Sequence, residues 1–260
     1  GNGCGARNCR SPMTFPIPTT LPKSSLTAKK NAVCTVPSTN CTATTNNGGA
    51  VEVEGSGVMT MYGGTISNCS AGTTGGGINL DGPFTISGGV IENCTAATRG
   101  GGLYVHSSCA GGTITGNFII QNCTVGKPNS AGEGGGVYNL GTLTMSGGVV
   151  QGCSAGYNGG GVANGGTFTL SGGVIWKNRV TFTGTGNGKG GGIWAAGTTT
   201  MTGGYIVNNT VDRNAAYAGV GIYGTKTFNM QGGIICGNRF GGDNGTIGGG
   251  VGMDDGSYYN

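Results

Sequence analysis

One motif recurs along most of this chain: a glycine triplet, a short apolar segment, a G-T-x-T-x-S-G-G string, two β-branched residues and an asparagine. The triplets begin at Gly75, Gly100, Gly134, Gly159 and Gly190, with weaker copies at Gly48, Ala218 and Gly248. One copy cannot bury its own apolar side chains, whereas stacked copies cover each other. The repeat therefore predicts an all-β fold, a parallel β-helix (β-solenoid) of about eight coils, and the usual crossover preference makes it right-handed.

The high glycine content is consistent with short strands that are joined by tight turns. The chain has 260 residues, of which 62 are Gly. Glycine destabilises the interior of helices and strands, so a folded chain places this many at recurring turns. Between the glycines the segments alternate with the two-residue period of strands, and no long amphipathic helical pattern interrupts them.

Two apolar positions recur in phase with the repeat and are expected to point inward. The first comprises Met61, Ile86, Ile114, Met145, Leu170, Met201 and Met230. The second comprises Ile66, Ile91, Val150, Ile175, Ile206 and Ile235. We expect both columns to form the core, because residues at one phase of stacked coils lie on the same side of a sheet.

The sequence divides into residues 1–47, which lack the repeat, and residues 48–260, which carry it. The first segment contains Pro12, Pro16, Pro18, Pro22 and Pro37. Proline-spaced segments stay extended. We therefore predict an extended N-terminal arm followed by a solenoid domain.

The repeats resemble those of known surface proteins. GGAV at 48–51, the GGGV and GGGI triplets, and the I-x-x-N endings at Ile175–Asn178 and Ile235–Asn238 are similar to the GGA[ILV] and FxxN repeats of polymorphic outer membrane proteins. They also resemble repeats of bacterial and protist surface β-helix proteins. The resemblance implies a β-helix and a surface-exposed, adhesive role. The chain lacks that family's autotransporter barrel and has an unusual cysteine content.

Ten cysteines without any CxxC spacing favour a secreted, disulfide-bonded protein over a metal site. Five of them share one phase of the repeat, so neighbours in stacked coils would lie within the Cα separation that a disulfide needs. A ladder of buried thiols is the alternative. Cys4–Cys9 and Cys34–Cys41 are further candidate pairs, and Cys236 either stays free or meets a cysteine of another copy. The candidates are Cys4, Cys9, Cys34, Cys41, Cys69, Cys94, Cys109, Cys123, Cys153 and Cys236.

Six N-x-[ST] sequons occur, and five share the phase at the end of a coil. If these asparagines point inward, they hydrogen-bond the turn backbone. If they point outward, they are acceptors for N-linked glycans. The six are Asn40, Asn68, Asn93, Asn122, Asn208 and Asn244.

A threonine column is expected on the outer surface. It comprises Thr60, Thr85, Thr113, Thr144, Thr169 and Thr200, with Thr142, Thr167 and Thr198 starting a second column beside it. Such a T-x-T array resembles the face of ice-binding β-solenoids. The alternative is that threonine simply suits exposed strand positions. The second column is interrupted at Val58 and Pro83.

No catalytic, metal or cofactor site is expected. The acidic residues occupy different phases of the repeat, and His106 stands alone in a loop. The basic residues form no cluster larger than Lys29-Lys30, which gives no support to nucleic-acid binding. No apolar run is long enough to span a bilayer.

These observations predict an extracellular or cell-surface structural protein. We expect copies to stack head to tail into a filament or appendage, with the N-terminal arm joining neighbours by strand addition or a disulfide. The alternative is an adhesin or a binding module that recognises glycans or ice through the threonine columns.

Overall fold

The structure, a computed structural model, describes residues 7–9, 26–28, 32–34, 38–44, 47–126, 131–182, 188–212, 220–241, 249–253 and 258–259. Every described element is a short strand, and all of the strand pairs are parallel. Four strands make one coil, as in Val51–Val53, Met59–Met61, Thr65–Ser67 and Ser70–Ala71. Stacking these coils builds four parallel sheets, which confirms the predicted β-solenoid.

The strands of each sheet follow one another in chain order. The first sheet contains Arg7–Cys9, Leu26–Ala28, Val51–Val53, Ile78–Leu80, Leu103–Val105, Val137–Asn139, Val162–Asn164, Ile193–Ala195, Ile222–Gly224 and Val251–Met253. The second contains Ala32–Cys34, Met59–Met61, Phe84–Ile86, Gly112–Ile114, Thr142–Met145, Thr167–Leu170, Thr198–Met201, Thr227–Met230 and Tyr258–Tyr259.

The third and fourth sheets have eight strands each. The third contains Ser38–Thr39, Thr65–Ser67, Val90–Glu92, Ile119–Gln121, Val149–Gln151, Val174–Trp176, Tyr205–Val207 and Ile234–Cys236. The fourth contains Thr42–Ala43, Ser70–Ala71, Thr95–Ala96, Thr124–Val125, Ser154–Ala155, Arg179–Val180, Thr210–Val211 and Arg239–Phe240.

The glycine triplets allow adjacent coils to approach closely. Gly100 has a φ of +64°, in the left-handed region that favours glycine. At Gly101 an added Cβ would lie 2.4 Å from the carbonyl oxygen of Gly135 in the next coil. Glycine is therefore required at the first position of the triplet by the backbone conformation, and at the second position by the close contact with the next coil.

Both predicted apolar columns line the core, which confirms their inward orientation. Ile66, Ile91 and Ile175 are fully buried. The structure adds Ile120, which pairs with Ile91 and Val150 and fills the gap in the second column. Met230 and Ile235, near the C-terminal end of the described solenoid, are only partly buried.

Four described strands of the predicted N-terminal arm belong to the solenoid. Leu26–Ala28, Ala32–Cys34, Ser38–Thr39 and Thr42–Ala43 each pair in parallel with the equivalent strand of the following coil. Arg7–Cys9 in turn pairs with Leu26–Ala28. This coil lacks the glycine triplet, so a search for glycine corners misses it. The string NCTA at 40–43, which recurs at 93–96, marks its phase.

Candidate functional site

The corner between the third and fourth sheets has the same backbone in every described coil. One residue adopts a left-handed conformation and is exposed, and the next residue points inward. The outward residues are Asn40, Asn68, Asn93, Asn122, Gly152, Lys177, Asn208 and Gly237, with φ between 53° and 65°. Glycine and asparagine adopt this conformation most readily. We call these eight residues the outward corner column.

The residue after each outward corner residue is buried, and its type changes along the molecule. It is Cys in the first five coils and Asn in the last three: Cys41, Cys69, Cys94, Cys123, Cys153, Asn178, Asn209 and Asn238. We call these residues the inward corner column.

The three inward asparagines form a hydrogen-bonded ladder. Asn209 Nδ2 donates to the carbonyl of Ile175 at 3.0 Å, and Asn209 Oδ1 accepts from the backbone N–H of Asn178 at 2.9 Å. Asn238 makes the same contacts one coil further on, to Ile206 and Asn209. The ladder reaches the cysteine section, because Cys153 N–H donates to Asn178 Oδ1 at 2.9 Å. Asn178 Nδ2 and Asn209 Nδ2 also donate to the Oδ1 of the next asparagine in the ladder, so these two amides each contact both neighbouring coils.

The inward cysteines make weaker versions of these contacts. Cys94 Sγ lies 3.8 Å from the Ile66 carbonyl of the preceding coil, and Cys123 Sγ lies 3.9 Å from that of Ile91. Their shorter contacts, at 3.3 and 3.4 Å, are to carbonyls two residues earlier in their own coils. A hydrogen bond from Cys41 lowers the pKa of Cys69, but contact with Cys94 and burial outweigh it and raise this pKa to about 12. Burial, followed by the hydrogen bond to Cys153, holds the pKa of Cys123 well above its usual range. The structure brings the predicted ladder together as thiols, and its disulfide bonding stays a prediction.

The remaining cysteines lie away from this column. Cys109 is buried in the loop between the first and second sheets, where its N–H donates to the His106 carbonyl. Cys236 is exposed on the third sheet. Cys9 and Cys34 lie in the first and second sheets, in register with Ala28 and Met61. Cys4 falls outside the described residues, so the candidate pair Cys4–Cys9 stays a prediction.

Five of the six sequon asparagines belong to the outward corner column and are exposed: Asn40, Asn68, Asn93, Asn122 and Asn208. Asn244 lies outside the described residues. The inward asparagines occur one position later in the repeat than the sequon asparagines. The spacing from the inward isoleucine distinguishes them, because Asn178 follows Ile175 by three residues whereas Asn93 follows Ile91 by two.

The predicted threonine column lies on the outer face of the second sheet. Thr85 pairs directly with Thr60 and Thr113, and the residues on either side of each threonine are buried. The pairing continues through Thr144, Thr169 and Thr200 to Asn229. Thr142, Thr167 and Thr198 form the shorter second column.

The ionisable side chains make local contacts along the outer surface. His106 Nδ1 lies 2.9 Å from Ser108 Oγ, which donates to the carbonyl of Asp81 at 2.6 Å. Gln121 Nε2 donates to Glu92 Oε2 at 2.8 Å. Within the described ranges, no three His, Cys, Asp or Glu side chains group closely enough to hold a metal ion.

The core also contains a polar group that the repeat pattern does not predict. Asn139 and Asn164 are fully buried, and Asn139 Nδ2 donates to Asn164 Oδ1 at 2.8 Å. Asn164 Nδ2 also lies within hydrogen-bond distance of Thr199 Oγ1, at 3.0 Å. Thr199 is inward because it is in register with the buried Phe168 and Phe228 of the adjacent coils, and this shared phase is the signal that the sequence offers.

The first sheet also carries a partly covered aromatic row on its outer face. The Tyr104 and Tyr138 rings stack with centroids 5.6 Å apart, and the Arg99 guanidinium lies 5.1 Å from the Tyr138 ring. These contacts explain why outward residues of the first sheet are buried.

Comparison with protein-family models, curated proteins and solved structures found no match to this chain. Among the residues that the structure describes, no helix is long and apolar enough to cross a membrane.

Proposed function

We propose that this chain is an extracellular structural protein whose solenoid stacks end to end with other copies to form a filament or surface appendage. The observation that carries the proposal is an incompletely covered core at the C-terminal end of the described solenoid. The resemblance of the repeats to surface β-helix proteins supports the location.

The exposure of the core changes abruptly at this end. In the column that contains Ile175 and Ile206, both of these residues are fully buried, whereas Ile235 is only partly buried. In the neighbouring apolar column, Met201 is buried whereas Met230 is only partly buried. Burying apolar area of this kind stabilises an assembly by about 25 cal/mol per Å². A further coil would cover these side chains.

Each of the third and fourth sheets ends in a strand that has one neighbour among the described residues. In these ranges the last strands are Ile234–Cys236 and Arg239–Phe240, and the first strands of the same sheets are Ser38–Thr39 and Thr42–Ala43. An edge strand accepts a strand of another chain. A contact between two different ends does not close on itself, so repeating it builds a filament.

The role of the N-terminal segment is revised accordingly. Because the described strands between Leu26 and Ala43 pair with the following coil of their own chain, we propose that they, rather than a free arm, meet the preceding subunit. Cys236 is exposed at the facing end. A disulfide from Cys236 to Cys4 or Cys9 of a neighbour would reinforce the joint.

Electron microscopy and sedimentation of the purified protein test this proposal. We expect concentration-dependent rods with a repeat of about 4.8 Å along their axis, the spacing of hydrogen-bonded strands. A population that remains at the 25.5-kDa monomer mass at high concentration contradicts it.

A matched pair of variants isolates the end contact. Ile235→Lys places a charge on the partly covered end of the core, where it stays hydrated in the monomer and would be buried in a stack. We expect it to abolish rods while the melting temperature changes by only a few degrees. Tyr205→Lys changes an outward-facing residue one coil further from the end. Its side chain is 48% exposed, and the rods of this variant should persist.

A second candidate function is binding through the threonine columns, favoured by the in-register pairing from Thr60 to Thr200. Thr169→Lys would interrupt the array at its centre without touching the core. If the face binds ice, thermal hysteresis should appear in the parent protein and disappear in this variant. The same variant should still form rods.

A further inference from the structure

The outward corner column contains five sequon asparagines that are exposed on the folded chain. We propose that Asn40, Asn68, Asn93, Asn122 and Asn208 carry N-linked glycans, which form a row along the corner between the third and fourth sheets. The inference rests on the proposed extracellular role, because it needs passage through a glycosylating secretory pathway. It names the modification that this edge of the solenoid receives.

The asparagine amides lie on the surface of the folded solenoid. All five residues are exposed, and their left-handed backbone turns the side chain away from the core. In two coils the next corner residue is glycine, which leaves room for the amide. Asn122 Oδ1 lies 2.6 Å from the position of a Cβ at Gly152, and Asn208 Oδ1 lies 2.3 Å from that of a Cβ at Gly237.

The hydroxyl that completes each sequon is on the same surface. Two residues after each asparagine, the fourth sheet carries an outward Thr or Ser, and the residue between them points inward. Thr42 and Thr95 are exposed, whereas Ser70, Thr124 and Thr210 are half-buried. Both groups that a glycosyl transferase recognises are therefore outside the core.

The inward asparagines supply a natural contrast. Asn178, Asn209 and Asn238 are buried in the ladder, and the residues two positions later are Val180, Val211 and Phe240. None of these three asparagines is the acceptor residue of a sequon, and Asn209 is only the middle residue of the Asn208 sequon. Within this corner, sequons thus coincide with the outward asparagines and are missing from the inward ones.

The transfer step needs a donor, for which we name a polyprenyl-diphosphate-linked oligosaccharide. A bond forms between asparagine Nδ2 and C1 of the first sugar. The bond between C1 and the diphosphate oxygen breaks, and the polyprenyl diphosphate leaves with its electron pair while the amide loses one proton.

The test uses the full chain secreted from a eukaryotic cell line. Peptide N-glycosidase is applied to the native protein in heavy-oxygen water, which converts each glycosylated Asn to a labelled Asp that peptide mass spectrometry locates. We expect release without denaturant and label at the five corner positions. Folded, secreted protein that carries no label at any of them overturns the proposal.

Variants at one isolated site sharpen the test. Neither Lys177 nor Gly237, the corner residues on either side of Asn208, carries a sequon. Asn208→Gly keeps the backbone conformation and Thr210→Val removes only the hydroxyl, so each should lower the mass by one glycan. Thr210→Ser should leave the mass unchanged.

A gain-of-site variant gives the reverse readout. Lys177→Asn combined with Arg179→Thr completes a sequon around Asn178, at an exposed corner that has a φ of +53°, and should add one glycan. If Asn208→Gly loses none and the Lys177→Asn, Arg179→Thr variant gains none, the glycan row is wrong.

Sedimentation and microscopy of the same samples separate this inference from the filament. Glycosylated protein that never assembles contradicts the filament and supports the glycan row. Assembled rods without glycans contradict the row alone.

Discussion

Gly112 occupies an inward position of the second sheet, and the Phe84 side chain of the preceding coil fills the space that a side chain at Gly112 would occupy. The aligned residues in adjacent coils are Phe84 and Leu143. An added Cβ at Gly112 would lie 2.2 Å from Phe84 Cε1, so the ring already fills that space. The core at this level therefore depends on one ring covering two coils.

The substitution Gly112→Ala tests this packing. Displacing the Phe84 ring should lower the free energy of unfolding by about 1–3 kcal/mol, the usual cost of overpacking. Denaturant titration measures it. The control is Gly111→Ala, because no atom lies within 4 Å of an added Cβ there. Equal losses for the two variants would contradict the packing argument.

The inward cysteines predict a pH dependence of stability. The thiols of Cys41, Cys69, Cys94 and Cys123 have raised pKa values in the folded chain, so the unfolded chain releases protons first as the pH rises above the ordinary thiol value of 9.0. The stability that they contribute is complete below that pH. It should fall above it by about 1.4 kcal/mol per pH unit for each thiol that stays protonated.

Denaturant titration between pH 8 and 11, with and without reductant, measures this dependence. A thiol ladder gives the alkaline fall in a reductant-containing sample. Cross-linked cysteines cannot ionise, so a flat profile without reductant that becomes steep with it would support disulfides between adjacent coils. A Cys123→Ser variant should make the decrease of unfolding free energy with pH less steep in reductant. An unchanged slope would show that other groups cause the decrease.

Among the elements, the inward corner column combines two ways of joining coils. Its asparagines supply both a donor and an acceptor to adjacent coils, whereas its cysteines supply a weak donor. The asparagine section should accordingly resist local opening more strongly than the cysteine section.

Extending the ladder by one coil tests this difference. In Cys153→Asn, the new amide would lie beside Asn178 and could donate to the Ile120 carbonyl, which Cys153 Sγ now contacts at 3.9 Å. We expect a gain of about 1 kcal/mol in unfolding free energy under reducing conditions. Asn209→Ala, which removes an existing rung, should cost about 2–4 kcal/mol. A loss in both variants would show that the column's volume, rather than its hydrogen bonds, decides stability.

Sequence patterns located the elements wherever glycine marks the corners. The in-phase apolar residues from Met61 to Met201 were predicted to be inward and are buried. The first coil was missed because it lacks the triplets. The inward asparagines were merged with the sequon asparagines because only a one-residue offset separates them. Orientation at that corner depends on a left-handed residue, which a residue-type pattern does not reveal.

For the whole molecule, contacts run almost entirely between successive coils, so length should be adjustable by whole coils. Deleting residues 134–158 joins Glu133 to Gly159 and leaves Glu133 where its register partner Asn158 stood. We expect this variant to fold cooperatively, with a rod shorter by about 4.8 Å. Circular dichroism and small-angle scattering measure both properties.

The control for this deletion removes only residues 134–146. It takes away the strands of the first and second sheets from one coil and leaves those of the third and fourth. We expect it to unfold or aggregate. If the whole-coil deletion also unfolds or aggregates, the coils are not independent units.

The parallel pairing of every coil also determines how the rod responds to tension. The hydrogen bonds between coils lie roughly along the long axis, so a pull on the two ends loads them one row at a time rather than together. Each coil should peel away singly at low force and lengthen the chain by roughly 80–110 Å, at about 3.3 Å for each of its 25–34 residues. The solenoid would then extend under load in steps set by the length of each coil and rewind when the load is released.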